Sequence, residues 1–325
     1  MLIYIARRLA WTVLVVGVVL LVTYVVFFTM PAGDPALRFA GKSPTEEQLQ
    51  LIRERLHLDK PFYVEFGYFV KNFVAGDENG WPGLGYSYSG LVPVKDQIVE
   101  RAPRTLWLIA GAATLWLTLG VAIGVLSAVK RRSIVDRLAM GFALFGISAP
   151  VFWLGLMALF IFWRTLHWTG GTGYVPLSDG VCCGEDTWFM HLILPWTVLA
   201  LLYMAIYARV TRNNLLETLG EDYIRTARAK GLSERKVILR HGLRASLTPI
   251  VTMFGLDVAL LVGGAIITES VFNIQGLGWL AITGARTQDL PTVLGVVLLT
   301  ATAVAIMNLV VDIVYAFLDP RVRYA

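Results

Sequence analysis

Residues Glu221–Pro249, EDYIRTARAKGLSERKVILRHGLRASLTP, form a basic amphipathic block set between two long apolar runs, Trp188–Ala208 and Ala245–Thr268. Each run is long enough to cross a hydrocarbon core of about 30 Å, which takes roughly 20 helical residues. The block cannot cross with them. Arg225, Arg228, Lys230, Arg235, Lys236, Arg240 and Arg244 would each cost several kcal/mol in hydrocarbon. It must therefore lie on one face of the membrane. A short helix ending near Gly231, a turn and a second helix is the form of a docking element offered to a soluble partner.

Composition agrees. Of 325 residues 56% are hydrophobic and 16% charged, and the mean hydropathy is +0.64, outside the soluble globular norm. Six charge-poor runs stand out: Leu9–Met30, Thr105–Val129, Leu138–Trp163, Trp188–Ala208, Ala245–Thr268 and Leu290–Leu318. Barrel strands would be short and alternating, so the runs are helices. The expected fold is an all-α polytopic membrane protein of six transmembrane helices. Arg7 and Arg8 before the first run resemble a signal peptide. The run is too long for one and lacks a small-x-small cleavage site before Pro31, which predicts an uncleaved anchor.

Orientation follows from Lys and Arg. Arg7 and Arg8, the group Lys130, Arg131, Arg132 and Arg137, the stretch Arg209 to Arg244, and Arg321 with Arg323 fall on one side. The opposite loop, His167 to Phe189, has neither residue type, and the loop after the fifth run has only Arg286. The positive-inside rule puts both termini and the basic block in the cytoplasm. The long loop Pro31–Arg104 is largely exempt from that rule at its length. The net charge of +5 is thus topology and not a nucleic-acid footprint.

The long outer loop carries helical signals. Ser43-Pro44-Thr45-Glu46 reads as a capping box with Pro at the first helical position, followed by Leu49, Ile52 and Leu56 at helical spacing. A second amphipathic segment presents Phe62, Phe66, Phe69, Val70 and Phe73 on one face. The Gly- and Pro-rich run Gly76–Gly90 then breaks the pattern. The loop reads either as a cap packed on the outer ends of the spans or as a docking surface for a substrate-delivery protein.

At this point the residues resemble a known family, the membrane permease subunits of bacterial peptide-class ABC importers, in the half with the long outer loop. The likeness covers nearly the whole chain. It begins with Ala6-Arg7-Arg8-Leu9 and Gly33-Asp34-Pro35-Ala36, then Leu84-Gly85-Tyr86-Ser87 and Arg101-Ala102-Pro103-Arg104-Thr105-Leu106. It continues through Ser148-Ala149-Pro150-Val151-Phe152-Trp153-Leu154-Gly155. It is strongest in Asp222-Tyr223-Ile224-Arg225-Thr226-Ala227-Arg228-Ala229-Lys230-Gly231 and Arg240-His241-Gly242-Leu243-Arg244. It closes with Glu269-Ser270-Val271-Phe272, Gly276-Leu277-Gly278 and Leu318-Asp319-Pro320-Arg321.

The wider superfamily carries Glu-Ala-Ala, three residues, Gly, nine residues, Ile-x-Leu-Pro. Counted from Gly231, this chain has Arg225-Thr226-Ala227 and then His241-Gly242-Leu243-Arg244. The first Glu and the last Pro are missing, as in the peptide subfamily, so no salt bridge of that Glu carries over. Gln275 stands where the family usually has Pro.

The resemblance implies a type I ABC importer permease fold in the bacterial cytoplasmic membrane. It implies alternating access driven by partners: a second homologous permease subunit, two ATPase subunits that bind ATP and Mg, and an extracytoplasmic binding protein that delivers peptides. The chain itself has no G-x-x-x-x-G-K-[ST] phosphate loop, and neither catalysis nor a cofactor is expected of it. The resemblance assigns ATPase contact to Asp222, Tyr223, Arg225, Thr226, Ala227, Lys230, Gly231, Leu232 and Ser233. Gly231 is expected to permit a sharp turn and close backbone approach. The chain then divides into an N-terminal anchor (1–30), an extracytoplasmic helical loop domain (31–103), a five-helix permease core (104–318) with its coupling loop (209–244), and a cytoplasmic tail (319–325). Nickel complexes, glutathione and oligosaccharides are alternative substrates of related permeases.

Other classes fit less well. A secondary transporter would also be polytopic, with ionisable groups at mid-membrane. A channel needs a filter-like loop, and a membrane enzyme needs clustered ligands. The four histidines, His57, His167, His191 and His241, are scattered. Asp257, near the middle of the fifth run, is the acidic residue that needs water or a partner. It is expected to face the translocation path with Met253 and Leu256 nearby and Glu269 toward the outer mouth, the alternative being a polar partner on a neighbouring span. Pro150 and Pro195 are expected to kink their helices. Gly111, Gly120, Gly124, Gly155, Gly263 and Gly264 are expected to allow close helix packing. Adjacent Cys182 and Cys183 fall in the outer loop, where disulfides persist. Extended neighbours point opposite ways, which argues against a vicinal bridge and leaves free thiols or a bridge to another chain.

Overall fold

The computed structural model describes residues 2–29, 36–37, 45–56, 58–87, 90–179 and 187–318. Cys182, Cys183 and the 319–325 tail lie outside these residues. In chain order the helices are α1 (Leu2–Tyr24, prolonged by a π turn to Thr29), α2 (Glu46–Leu56) and α3 (Phe62–Ala75). After the short hairpin β1 (Tyr86–Ser87) and β2 (Val92–Pro93) come α4 (Val94–Val129), α5 (Ile134–Ser148) and α6 (Val151–Ala158, prolonged by a π segment to Thr165). Then follow α7 (Trp188–Thr218), α8 (Asp222–Ala229), α9 (Glu234–Val262), α10 (Ile266–Val271), α11 (Leu277–Thr287) and α12 (Leu290–Leu318).

Among the described residues, five helices are long and apolar enough to cross a membrane (α1, α4, α7, α9 and α12), or six if α5 and α6 count as one broken span. The fold is all-α and polytopic, as expected. The third apolar run departs from a simple span. Its two halves are bent by 102°, because Ala149 is extended (ψ 128) and Pro150 after it has no N–H to continue the ladder. Pro195, expected to act alike, lies within a helix that continues through it.

The ends also moved. The fifth run ends at Val262, where Gly264 takes a positive φ of 107° and its N–H closes on Leu261 O at 2.8 Å. Thr268 and Glu269 therefore belong to a separate short helix. At α2 the cap is Thr45. Its N–H donates to Gln48 Oε1 (3.1 Å), and the Gln48 N–H donates back to Thr45 Oγ1 (3.3 Å), a reciprocal capping box. Ser43 and Pro44, expected to start it, lie outside the described residues.

Packing divides the chain into two compact units. The first comprises Met1–Leu106, Ala259–Glu269 and Gln275–Leu309. In it Leu49 and Ile52 of α2 are buried with Leu20, Tyr24 and Phe28 of α1 and with Leu294 and Leu298 of α12. Phe66, Phe69, Val70 and Phe73 of α3 pack on that cluster. Tyr24 stacks on Phe28 at 4.7 Å and its hydroxyl donates to Glu65, which satisfies the one polar atom of an otherwise apolar cluster. The amphipathic faces read in the outer loop are thus spent on helix ends of the same unit.

The second unit comprises Trp107–Val258, Ser270–Ile274 and Val310–Ala325. Here α5 and α6 pack against α7. Glycines on α4 let α7 approach. A Cβ on Gly111 would stand 2.0 Å from the Trp196 ring, and one on Gly124 would stand 2.6 Å from Ala208 O. Without hydrophobic drive in lipid, such close packing is what holds helices together. The Trp196 indole N–H donates to Trp107 O at 2.9 Å.

Candidate functional site

The basic block folds as expected of a short helix and turn. Ile224 and Ala227 of α8 and Val237 of α9 are buried together, with Leu219 packed against them. Three apolar side chains thus pin α8, and Asp222, Tyr223, Arg225, Thr226, Lys230, Gly231, Leu232 and Ser233 are left exposed. Ala227, expected among the contact residues, is only 7% exposed. Its methyl group faces inward at helical spacing from Ile224, so it anchors the element and does not present it.

The helix ends in a Schellman motif. The Gly231 N–H donates to Arg228 O (2.9 Å) and the Leu232 N–H to Ala227 O (3.4 Å), with Gly231 at φ 74°. That left-handed position is where glycine is favoured. Nothing lies within 4 Å of a Cβ built on Gly231. The expected sharp turn is present, and among the described residues no backbone approaches Gly231 closely. Arg228 grips Glu234 with Nη2–Oε1 at 2.7 Å and Nε–Oε2 at 3.2 Å. The carboxylate beside it raises the Arg228 pKa further. The pair is exposed and adds about 0–1 kcal/mol, so it shapes the turn more than it stabilises it.

The base of the second unit holds a feature that sequence reading missed. Asp136, at the start of α5, accepts from Arg212 Nε (2.7 Å) and Nη2 (2.9 Å), from Ser127 Oγ and from the Arg132 N–H (2.9 Å). It is 5% exposed. The grip joins the end of α4, the start of α5 and the part of α7 leading to α8. One signal was available: Ser133-x-x-Asp136 is a helix-start pattern, and the Ser133 side chain does accept from the Asp136 N–H.

Asp257 of α9 also has a partner. The Tyr207 hydroxyl of α7 donates to its Oδ2 at 2.7 Å. The neighbouring-span alternative is therefore present in the structure, and the carboxylate remains part-exposed. Met253 is half-buried, and Leu256 is 43% exposed. Glu269, expected toward the outer mouth of the path, exposes none of its surface and so lines nothing in this conformation. Its Oε1 accepts from Thr105 Oγ1 (2.8 Å) and its Oε2 from the Trp279 N–H (2.9 Å). Thr105 Oγ1 in turn accepts from the Leu277 N–H (2.8 Å). The carboxylate caps the N-terminus of α11. Burial pushes its pKa above the ordinary glutamate value, with the Trp279 N–H and the Thr105 hydroxyl pulling back. Among the described residues no group of His, Cys, Asp or Glu could hold a metal ion.

The sequence that builds these helices is shared with known proteins. The family described as the binding-protein-dependent transport system inner membrane component matches residues 120–324. The chain belongs to that family. The N-terminal module described for the same transport systems matches residues 1–109. A glutathione transport system permease protein of Escherichia coli K12 is 38% identical over 324 residues, covering 100% of both chains. A protein of Sinorhizobium fredii named as a probable peptide ABC transporter permease is 36% identical over 322 residues, covering 99% of both. The chain is a multi-pass inner-membrane permease of an ABC importer, and ATPase and binding-protein partners belong to that class of assembly.

Proposed function

We propose that this chain forms half of the translocation pathway of an ATP-driven importer of peptides, delivered by an extracytoplasmic binding protein. A second homologous permease subunit supplies the other half, and two ATPase subunits hold ATP and Mg, so the chain itself performs no catalysis. Both termini and α8 face the cytoplasm, where Lys and Arg are concentrated. The observation that carries the reading is α8. It is pinned by Ile224, Ala227 and Val237 and leaves the polar side chains Asp222, Arg225, Thr226, Lys230 and Ser233 exposed together with Tyr223 and Leu232.

A helix so held is a lever. Displacement by a closing ATPase passes into α7 and α9, its two flanking helices, as tilt rather than as local unfolding. In this reading Asp257, with Met253 and Leu256, lines the pathway. The relative named for glutathione supports a peptide-like cargo, since glutathione is a tripeptide.

The test is the full assembly, purified with both permeases, the ATPases and the binding protein, in vesicles. Peptide uptake should require ATP and cease with a hydrolysis-deficient ATPase. Uptake that persists without the ATPases, driven by a proton or sodium gradient, would identify a secondary transporter instead.

A further inference from the structure

Asp257 is not alone with Tyr207. On α7, Tyr203 lies one turn before Tyr207, and on α9, Phe254 lies nearly one turn before Asp257. Trp116 of α4 stacks on Tyr203 with ring centroids 4.6 Å apart and 28° between planes. Its ring is also 6.4 Å from Tyr207 and 6.1 Å from Phe254. Trp116 and Tyr207 are 0% and 1% exposed, while Tyr203, Phe254 and Asp257 are half-buried. Two rings therefore form a fixed back wall, and two rings and a carboxylate form an accessible edge. Tyr207 holds Oδ2; among the described residues Oδ1 takes no hydrogen bond, and it is not a buried atom.

We propose that Asp257 and the accessible rings of Tyr203 and Phe254, backed by the buried Trp116 and Tyr207, form a subsite for an organic ammonium group, the free amino terminus of the transported peptide. This rests on the importer reading above and names what the pathway recognises. Ring faces carry negative quadrupole charge and attract ammonium groups, as in aromatic cages. A carboxylate with one oxygen held and one open gives the cation a directed charge. The same wall and carboxylate repel an anionic group and give a neutral aliphatic one no charge to pair with. A purely structural Asp–Tyr bond accounts for Oδ2 but leaves unexplained an open Oδ1 at the accessible edge of four clustered rings. Such a site would bind weakly while water still reaches the edge, as a pathway must if it is to release its cargo.

The experiment uses the complete assembly in vesicles, with excess binding protein and a dipeptide substrate. The competing probe is tetramethylammonium chloride, compared with sodium chloride at equal ionic strength. The expected result is inhibition of wild-type uptake by tetramethylammonium alone. The half-inhibiting concentration should rise by about tenfold in Asp257→Asn and Tyr203→Leu but stay unchanged in Tyr203→Phe. Tyr203→Leu removes a ring face without touching the Tyr207–Asp257 bond, so it decides the matter if Asp257→Asn lowers the yield of assembled complex. Equal inhibition of wild type and Tyr203→Leu, or none beyond the salt control, overturns the subsite and leaves the importer reading standing. A wild-type assembly without ATP-dependent uptake overturns both.

Discussion

Arg212 holds Asp136 with both ends of its guanidinium fork, Nε at 2.7 Å from Oδ1 and Nη2 at 2.9 Å from Oδ2. The two residues are far apart in the chain and meet at the base of α5 and α7, a few turns from α8. A bidentate pair fixes orientation as well as distance. The helix that carries α8 is thereby tied to α4 and α5 through the same carboxylate.

Breaking that grip should be costly. Asp136→Ala leaves a largely buried guanidinium without its partner, and removing one member of a buried pair costs about 3–5 kcal/mol. Arg212→Lys should also weaken the link, since an ammonium cannot reproduce the fork. The thermal unfolding midpoint of the purified assembly is the measurement. A midpoint unchanged in both variants would show that the pair contributes orientation without stability.

At Gly231 the requirement is conformational, not spatial. Gly231→Val forces a β-branched residue to φ 74°, at about 1–2 kcal/mol, and should lower transport-linked ATP hydrolysis without loss of membrane insertion. Gly231→Asn should retain most of it, because asparagine tolerates the left-handed region. If valine and asparagine behave alike, the turn is not the sensitive part of the lever.

Two glycines offer a matched comparison. A Cβ on Gly124 meets Ala208 O and Thr211 Cβ at 2.6 Å, while one on Gly141 meets nothing within 4 Å. Gly124→Ala should cost about 1–3 kcal/mol by overpacking α4 against α7. Gly141→Ala should be neutral or stabilising by about 1 kcal/mol through helix propensity. Unfolding midpoints of the two variants, measured side by side, check the contrast.

Glu269 should give the fold a pH dependence. Burial raises its folded pKa above the ordinary value of 4.5, so the native state holds the proton more tightly than the unfolded chain does. Its contribution is fully present below the unfolded pKa and is lost as pH rises through the folded one. The wild-type midpoint should therefore fall with rising pH above about pH 4.5, and Glu269→Gln should flatten that slope. A slope that persists undiminished in the variant assigns the titration elsewhere.

Much of the architecture was legible. Leu290–Leu318 is a helix from end to end as read, each glycine chosen for helix packing is one where a Cβ would collide, and the turn of the basic block sits at Gly231. These depend on local periodicity, on local sterics and on the cost of charge in hydrocarbon, which the chain carries residue by residue. Boundaries read from hydropathy alone were less secure. Polar residues extend α4 back to Val94 and α7 on to Thr218, because a helix continues past the apolar slab as long as its backbone bonds are satisfied.

The amino-acid sequence by itself determined that the chain is a helical membrane protein and which family it belongs to. Each is a property of composition and order along one strand of chain. Tertiary structure alone decided that Asp136 meets Arg212, that Asp257 meets Tyr207, and that Glu269 is sealed beneath Thr105 and the start of α11. A carboxylate in or near an apolar run must find a donor, and hydropathy states that need clearly. Which donor answers depends on the rotation and register of helices distant in sequence, which only their packing sets.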